Sequence, residues 1–168
     1  MAPWRCCWRV AGLFSVVGVG ATPHPEQTQF VAFLTGAQEV SARDTTARGY
    51  ARLRINDLGT ELEFKVVVDD IMNVRASHIH CAGAGVNGPI GVTLFTGCGL
   101  GPAPDVLAHS VATAPDAGNT CGWATLADVV AALRSGDTYV NVHTNDGVDP
   151  GNTGPGDFQS GEIRGQVR

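Results

Sequence analysis

Two short segments of the chain place histidines where they could act together. Their sequences are Ala76-Ser77-His78-Ile79-His80-Cys81 and Tyr139-Val140-Asn141-Val142-His143-Thr144. Both are rich in the β-branched and aromatic residues typical of strands. Successive side chains of a strand point to opposite faces, so His78 and His80 share one face, and His143 lies on the polar face of the second segment. Three imidazoles that converge on one sheet surface form a candidate metal site.

Neutral imidazole nitrogens are ligands that copper and zinc prefer. His78 and His80 are expected about 7 Å apart along a strand, a separation that one ion bridges when the rings lean together. The competing interpretation is a structural hydrogen-bond network, in which the imidazoles tie neighbouring strands and no ion binds. The sequence identifies no fourth ligand, so both interpretations stay open.

A strand predicted at the C-terminus supplies further polar groups. If Ile163 and Val167 face the core, Glu162 and Arg164 face the opposite side. With this strand beside the His143 segment, one surface carries the histidines and four supporting residues: Tyr139, Asn141, Glu162 and Arg164. In the network interpretation, Glu162 pairs with Arg164 or with a histidine.

No catalytic residue emerges from the sequence. Ser77 is predicted on the face opposite His78, so the two cannot form a serine–histidine dyad, and there is no Gly-x-Ser-x-Gly nucleophile motif. The glycine-rich residues 83–88 are not followed by a helical pattern and therefore do not predict a phosphate-binding loop. The pattern favours a non-enzymatic protein, although an enzyme is kept as an alternative below.

Alternating or β-branched runs, separated by turn residues, recur along the chain and predict strands. They cover residues 28–35, 49–56, 62–68, 75–81, 90–95, 106–113, 138–144 and 162–167. One helix interrupts them, because Thr125 and Asp128 form a capping pattern and Gly136 is placed to end it. The sequence therefore predicts a mainly β protein, an antiparallel Greek-key β-sandwich or barrel of about eight strands with one short helix.

The N-terminus has the organisation of a secretory signal. Arg5 and Arg9 precede an apolar run at residues 10–20, and small residues permit cleavage after Ala21. The apolar run is shorter than the roughly 20 residues that span a bilayer. We therefore predict a signal peptide at 1–21, a linker at 22–28 and a single domain at 29–168, secreted to the periplasm or the extracellular space, with no membrane span after signal removal.

The charge and the cysteines constrain partners and covalent structure. The formal net charge of −5 becomes about −7 once the signal is removed, so nucleic acid is a poor partner. Three cysteines remain in the exported chain, which predicts one disulfide and one free thiol. Cys81 with Cys121 is the favoured pair and leaves Cys98 free, while Cys81 with Cys98 stays open as the alternative.

Four ordered blocks of the sequence resemble the CHRD domain, a module named from its repeats in the chordin proteins. The blocks are Phe33-Leu34-Thr35-Gly36-Ala37-Gln38-Glu39-Val40, Ser77-His78-Ile79-His80 with Asn87-Gly88-Pro89, Gly136-Asp137-Thr138-Tyr139-Val140-Asn141-Val142-His143-Thr144, and Gly161-Glu162-Ile163-Arg164-Gly165-Gln166. The resemblance spans about residues 29 to 168. It implies an extracellular β-sandwich module without a settled biochemical activity, and the growth-factor binding of chordin is not carried over.

The His-x-His strand is also similar to the copper-binding strand of copper-zinc superoxide dismutases, although a histidine-rich zinc loop and a bridging histidine are not recognisable here. Two functions are therefore compared. The first is a secreted, non-enzymatic binding or structural domain, whose histidine surface is a candidate copper or zinc site and whose partner is an unidentified extracellular ligand or protein. The alternative is a copper redox metalloprotein.

Overall fold

The structure is a computed structural model that describes residues 26–97 and 99–168 of the chain. The signal peptide predicted at 1–21, most of the predicted linker, and Cys98 lie outside the described residues.

Eight strands and one α-helix make up the described fold, together with a single 3-10 turn at Gly36–Gln38. They are β1 (Gln29–Thr35), β2 (Arg48–Ile55), β3 (Leu62–Asp69), β4 (Val74–Cys81), β5 (Ile90–Thr96), β6 (Val106–Ala112), α1 (Leu126–Ser135), β7 (Thr138–Thr144) and β8 (Ile163–Gln166). Each predicted strand is present, with ends that differ by at most one residue. The predicted mainly β fold is confirmed.

All eight strands belong to one antiparallel sheet in the order β5-β4-β7-β8-β1-β2-β3-β6. The two strands at the ends of this order, β5 and β6, approach each other, so the sheet curls into a nearly closed barrel. β4, β7 and β8 are consecutive in the sheet. The two histidine segments and the C-terminal strand are therefore neighbours, as the sequence required for a shared surface.

Period-two patterning decides which side of each strand faces the core. In β2, Leu53 and Ile55 are buried, whereas Arg52 and Arg54 are exposed. β7 differs, because six of its seven residues are buried. Its outer face is covered by residues 82–89, which connect β4 to β5, and by residues 145–162, which connect β7 to β8. These two segments are called the 82–89 loop and the 145–162 loop below.

Helix α1 forms where the capping pattern predicts it. The Asp128 carboxylate accepts hydrogen bonds from the Thr125 and Ala124 N–H groups at 2.8 and 2.9 Å, which satisfies donors at the helix N-terminus. Gly136 ends the helix with a φ of 77°, a conformation that glycine adopts without strain. The apolar side of α1 packs on the barrel core. No helix in the described residues has the length and apolar character needed to cross a membrane.

The structure contains a disulfide between Cys81 and Cys121, the pair that the sequence favoured. Cys81 is the last residue of β4 and directly follows His80. The bond therefore ties the segment before α1 to the end of the strand that carries two of the three histidines.

Replacing Val142 with alanine should lower the free energy of unfolding by about 1–3 kcal/mol, because Val142 is fully buried and the change removes two methyl groups from the core. Val111→Ala on β6 is the matched control, since Val111 is 48% exposed and should change stability little. Urea denaturation of both variants checks this expectation. Equal losses in the two variants would contradict the assignment of the β7 core face.

Replacing Cys81 and Cys121 together with serine should cost about 2–4 kcal/mol of stability. The disulfide spans 40 residues, and its loss releases that loop in the unfolded chain. Denaturation of the variant and the wild type under identical non-reducing conditions measures the difference. An unchanged midpoint would show that the bond does not constrain the unfolded chain.

Candidate metal centre

The three histidines predicted from the sequence meet on the outer face of two paired strands. In the register of β4 and β7, His78 lies opposite Asn141, and His143 lies opposite Ala76. One ring nitrogen from each of His78, His80 and His143 falls in a group whose members are all within 4.8 Å of one another. The ring centroids are 5.0 to 5.9 Å apart.

Two backbone carbonyls fix the proton positions of His80 and His143. Nδ1 of His80 is 2.9 Å from the Gly88 oxygen, and Nδ1 of His143 is 2.9 Å from the Gln159 oxygen. A carbonyl oxygen can only accept a hydrogen bond, so each Nδ1 carries the hydrogen and donates it. Each Nε2 is therefore left with a free lone pair. Histidines that bind metals usually have this arrangement, with the second ring nitrogen held by a carbonyl or a carboxylate.

Three of the other four ring nitrogens are buried without hydrogen-bond partners. These atoms are Nε2 of His80, Nε2 of His143 and Nδ1 of His78. His78 makes no side-chain hydrogen bond to any of residues 26–97 and 99–168. A structural network would pair these nitrogens, because a buried unpaired polar atom costs about 1–3 kcal/mol. The hydrogen bonds present link the imidazoles to loop carbonyls and do not tie strand to strand.

Burial keeps the imidazoles in their neutral form. It lowers the pKa of His78 to about 4, and the neighbouring His143 and His80 act in the same direction. Burial also lowers the pKa of His80 to about 4, although the hydrogen bond to Gly88 opposes the shift. The pKa of His143 is lowered by burial as well. All three rings therefore offer lone pairs at neutral pH, as metal ligation requires.

Arg164 and Tyr139, both predicted beside the histidines, support His80 from one side. The Arg164 guanidinium carbon lies 3.4 Å from the centre of the Tyr139 ring. The Tyr139 ring also stacks on the His80 ring, with ring centroids 4.7 Å apart and planes inclined by only 7°. This stack fixes the plane of the His80 ring.

Arg164 also holds the 82–89 loop in place. Its guanidinium donates to the carbonyl oxygens of Gly83 and Val86 at 3.2 and 2.8 Å and to Asn87 Oδ1 at 3.1 Å. The same loop presents the Gly88 carbonyl to His80. Gly88 has no room for a side chain, since a Cβ there would lie 2.1 Å from the Cys81 oxygen. The sequence block Asn87-Gly88-Pro89 therefore had a structural role that alternation alone did not predict.

Glu162 makes its hydrogen bonds with residues other than the three histidines. Its carboxylate accepts hydrogen bonds from Thr45 Oγ1, Thr144 Oγ1 and the Gly156 N–H at 2.7, 2.6 and 2.9 Å. These bonds anchor the 145–162 loop, which supplies the Gln159 carbonyl to His143. Glu162 thus supports the cluster through a loop, and neither the Arg164 nor the histidine pairing considered from the sequence occurs among the described contacts.

Asn141 has a partner that sequence analysis missed. Its Nδ2 donates to Glu39 Oε1 at 2.8 Å, and both side chains are buried. Burial raises the pKa of Glu39 to about 7, although the Arg164 and Arg43 charges oppose the shift. Glu39 follows the end of β1 by four residues, so nothing in strand periodicity could place it beside β7. Its occurrence in the first block of the CHRD resemblance was the available signal.

These observations define a class of protein, an antiparallel β-barrel module with a partly buried cluster of three imidazoles on the outer face of β4 and β7. Residues 30–167 match the CHRD domain family, and the chain therefore belongs to it. The resemblance stated from the sequence is confirmed. No curated protein and no solved structure matches the chain, so the likeness to superoxide dismutases gains no support. The family assignment supports a binding or structural module, and the disulfide is compatible with an extracellular location.

His78 should contribute to the pH dependence of the free energy of unfolding of the metal-free protein between about pH 6.5 and pH 4. The pKa of His78 is about 4 in the folded protein and 6.5 for an ordinary histidine, so only the unfolded chain takes up this proton in that window. The contribution of the neutral His78 ring to stability is therefore fully present above pH 6.5 and is lost as the pH falls through 4. Urea denaturation in EDTA should show a shallower pH dependence for His78→Leu than for the wild type.

Glu39 provides an internal check of opposite sign. Its pKa is raised from 4.5 to about 7, so its contribution is full below pH 4.5 and is lost as the pH rises through 7. The same denaturation series on Glu39→Gln should therefore give a steeper increase of stability with pH than the wild type.

Parallel curves for the wild type and His78→Leu would contradict the prediction that His78 is buried and neutral in the folded protein.

Proposed function

We propose that this CHRD domain is an exported, non-enzymatic binding module that holds one Cu(II) or Zn(II) ion through His78, His80 and His143. Two observations carry the proposal: one ring nitrogen from each histidine converges with the others within 4.8 Å, and each of the three rings has a buried nitrogen without a hydrogen-bond partner. Each of the three rings is neutral at neutral pH and can donate a lone pair to a metal ion. In two of them Nδ1–H donates to a backbone carbonyl, an arrangement common among metal-binding histidines.

The geometry needs only a small adjustment to accept an ion. Nitrogens bound to a tetrahedral zinc at about 2.0–2.1 Å lie about 3.3 Å from one another. The ring nitrogens are already within 4.8 Å, and the His78 ring is free of hydrogen bonds to the described residues, so it can rotate toward the other two. His80 and His143 are held by loop carbonyls and provide the fixed part of the site.

Three neutral ligands leave the full positive charge of a divalent ion uncompensated. Carboxylate, hydroxide or another small anion is then the favoured further ligand, because the surroundings have a low dielectric constant. Asp116 is the acidic group whose charge acts on His78, and its carboxylate is held by the Thr93 hydroxyl at 2.6 Å and the Thr93 N–H at 3.1 Å. Asp116 therefore contributes compensating charge near the site.

Metal binding should be lost in His78→Leu without loss of the fold. Untagged protein, stripped with EDTA and titrated with Zn(II) or Cu(II), should bind about one ion per chain, and the variant should bind at least about tenfold more weakly. His78 makes no side-chain hydrogen bond, so the variant should retain the stability of the stripped wild type at pH 7. Calorimetric titration and urea denaturation measure the two quantities.

His109→Leu is the matched control, because His109 is an exposed strand histidine on β6 that pairs with Glu63 at 3.2 Å. It should bind the metal as the wild type does. A wild-type titration in His78→Leu would overturn the proposal. Clear destabilisation of the metal-free His78→Leu protein would instead support the structural network. His143→Ala is a less direct test, since it also removes the partner of the Gln159 carbonyl.

A further inference from the structure

A row of basic side chains crosses the outer face of the barrel on β2, β3 and β6. Strand register places Arg52 opposite Lys65, and Lys65 opposite His109. Side chains directly opposite each other on neighbouring strands lie about 5 Å apart on the same face. Arg54 lies two residues along β2 from Arg52 and extends this basic row. In a chain whose formal net charge is −5, such a concentration of cations is unexpected.

The pair Arg52 and Lys65 has no ion-pair partner among the described residues, and Arg52 Nη2 donates to the neutral Gln29 Oε1 at 3.0 Å. The nearby basic groups are paired, Arg54 and His109 with Glu63 at 3.2 Å each, and Arg48 with Asp69. Among residues 26–97 and 99–168, no carboxylate lies within ion-pair distance of Arg52 or Lys65. Like charges directly opposite each other destabilise a sheet. The alignment therefore lowers stability, which points to a role outside the fold.

The basic row also lies in a concave part of the surface. A depression of about 410 Å³ is lined by Arg52, Arg54, Glu63, Lys65 and His109. A second depression of about 210 Å³ adjoins it and shares Arg54, Glu63 and His109. Together they form a shallow groove that runs over β2, β3 and β6. A groove lets a ligand contact several of these cations at once.

Exposed aromatic rings lie next to the basic row. Phe33 on β1 is opposite Tyr50 on β2, and Tyr50 is two residues from Arg52 on the same face. Phe33 is 70% exposed and Tyr50 is 41% exposed. The two rings contribute flat apolar surface beside the cations. Polar ligands with apolar flat faces suit this combination.

We propose that this groove and the aromatic rings beside it bind a carboxylated polysaccharide, with its acid groups on Arg52 and Lys65 in the groove and its sugar rings on Phe33 and Tyr50 next to it. Arginine matches the geometry of a carboxylate with two parallel N–H groups, and lysine adds a point charge. Sugar rings present C–H faces that pack on aromatic side chains. A nucleic acid needs a broad positive surface, whereas this face offers a short row of cations interrupted by Glu63. An acidic peptide would use the cations but not the flat rings.

The test uses polygalacturonate as the probe, with the full exported protein in EDTA so that the histidine cluster does not contribute. The wild type should bind polygalacturonate and not neutral dextran, and raising the salt from about 50 to about 300 mM should weaken binding. Arg52→Gln combined with Lys65→Gln should weaken binding at least about tenfold. The same double variant should melt at or above the wild-type temperature, because a repulsive pair has been removed.

The charge-matched control is Arg75→Gln combined with Arg134→Gln, which removes two cations from β4 and α1, outside the residues that line the groove. It should bind polygalacturonate as the wild type does, whereas Phe33→Ala should bind more weakly. The proposal is overturned if polygalacturonate does not bind, if the Arg52 and Lys65 double variant binds unchanged, or if poly-glutamate binds as tightly as polygalacturonate.

Discussion

The arrangement around the histidines depends on the buried guanidinium of Arg164. A buried charge is costly unless hydrogen bonds and charges compensate it, and Arg164 is only 1% exposed. Compensation comes from the Tyr139 ring and from oxygen atoms of the 82–89 loop. If the loop moved away, the Arg164 guanidinium would lose these hydrogen bonds and would not be fully solvated in their place. Because the loop is held, its Gly88 carbonyl stays beside His80 and selects the tautomer in which Nε2 carries the lone pair.

The contrast between satisfied and unsatisfied groups is what makes the cluster informative. Arg164 and Glu162 are buried polar side chains with partners in the two loops that cover β7, whereas Asn141 donates through Nδ2 to Glu39 and its Oδ1 has no partner among the described residues. Other buried atoms without a partner occur in the described residues, among them Ser77 Oγ, Thr138 Oγ1, Asp157 Oδ1 and Gln166 Oε1. Burial without a partner is therefore not sufficient evidence for a ligand. Among the described residues, the three histidines are the group in which candidate metal ligands also converge, so the metal interpretation rests on burial and convergence together.

Regular elements were predictable from sequence because their physical causes are local. Alternation placed β2 and β7, and the Thr125 and Asp128 capping pattern with Gly136 placed α1 to within a residue. The histidine faces followed from the same alternation, even though the register of β4 against β5 shifts on either side of His78 and Ile79. The Gly88 and Gln159 carbonyls and the contact between Glu39 and Asn141 were not predictable. They depend on loop conformations, which have no periodicity, and on a contact between residues 102 positions apart.

The two proposed binding surfaces share one energetic property although they lie on different strands. Sequences that fold well are consistent at every level, and local departures from consistency concentrate at functional sites. The unpaired nitrogens between β4 and β7 are one departure, and the aligned charges of Arg52 and Lys65 are another. The polymer surface extends onto β1 through Phe33, and β8 lies between β1 and β7 in the sheet order, so an ion and an acidic polymer would bind without sharing a residue.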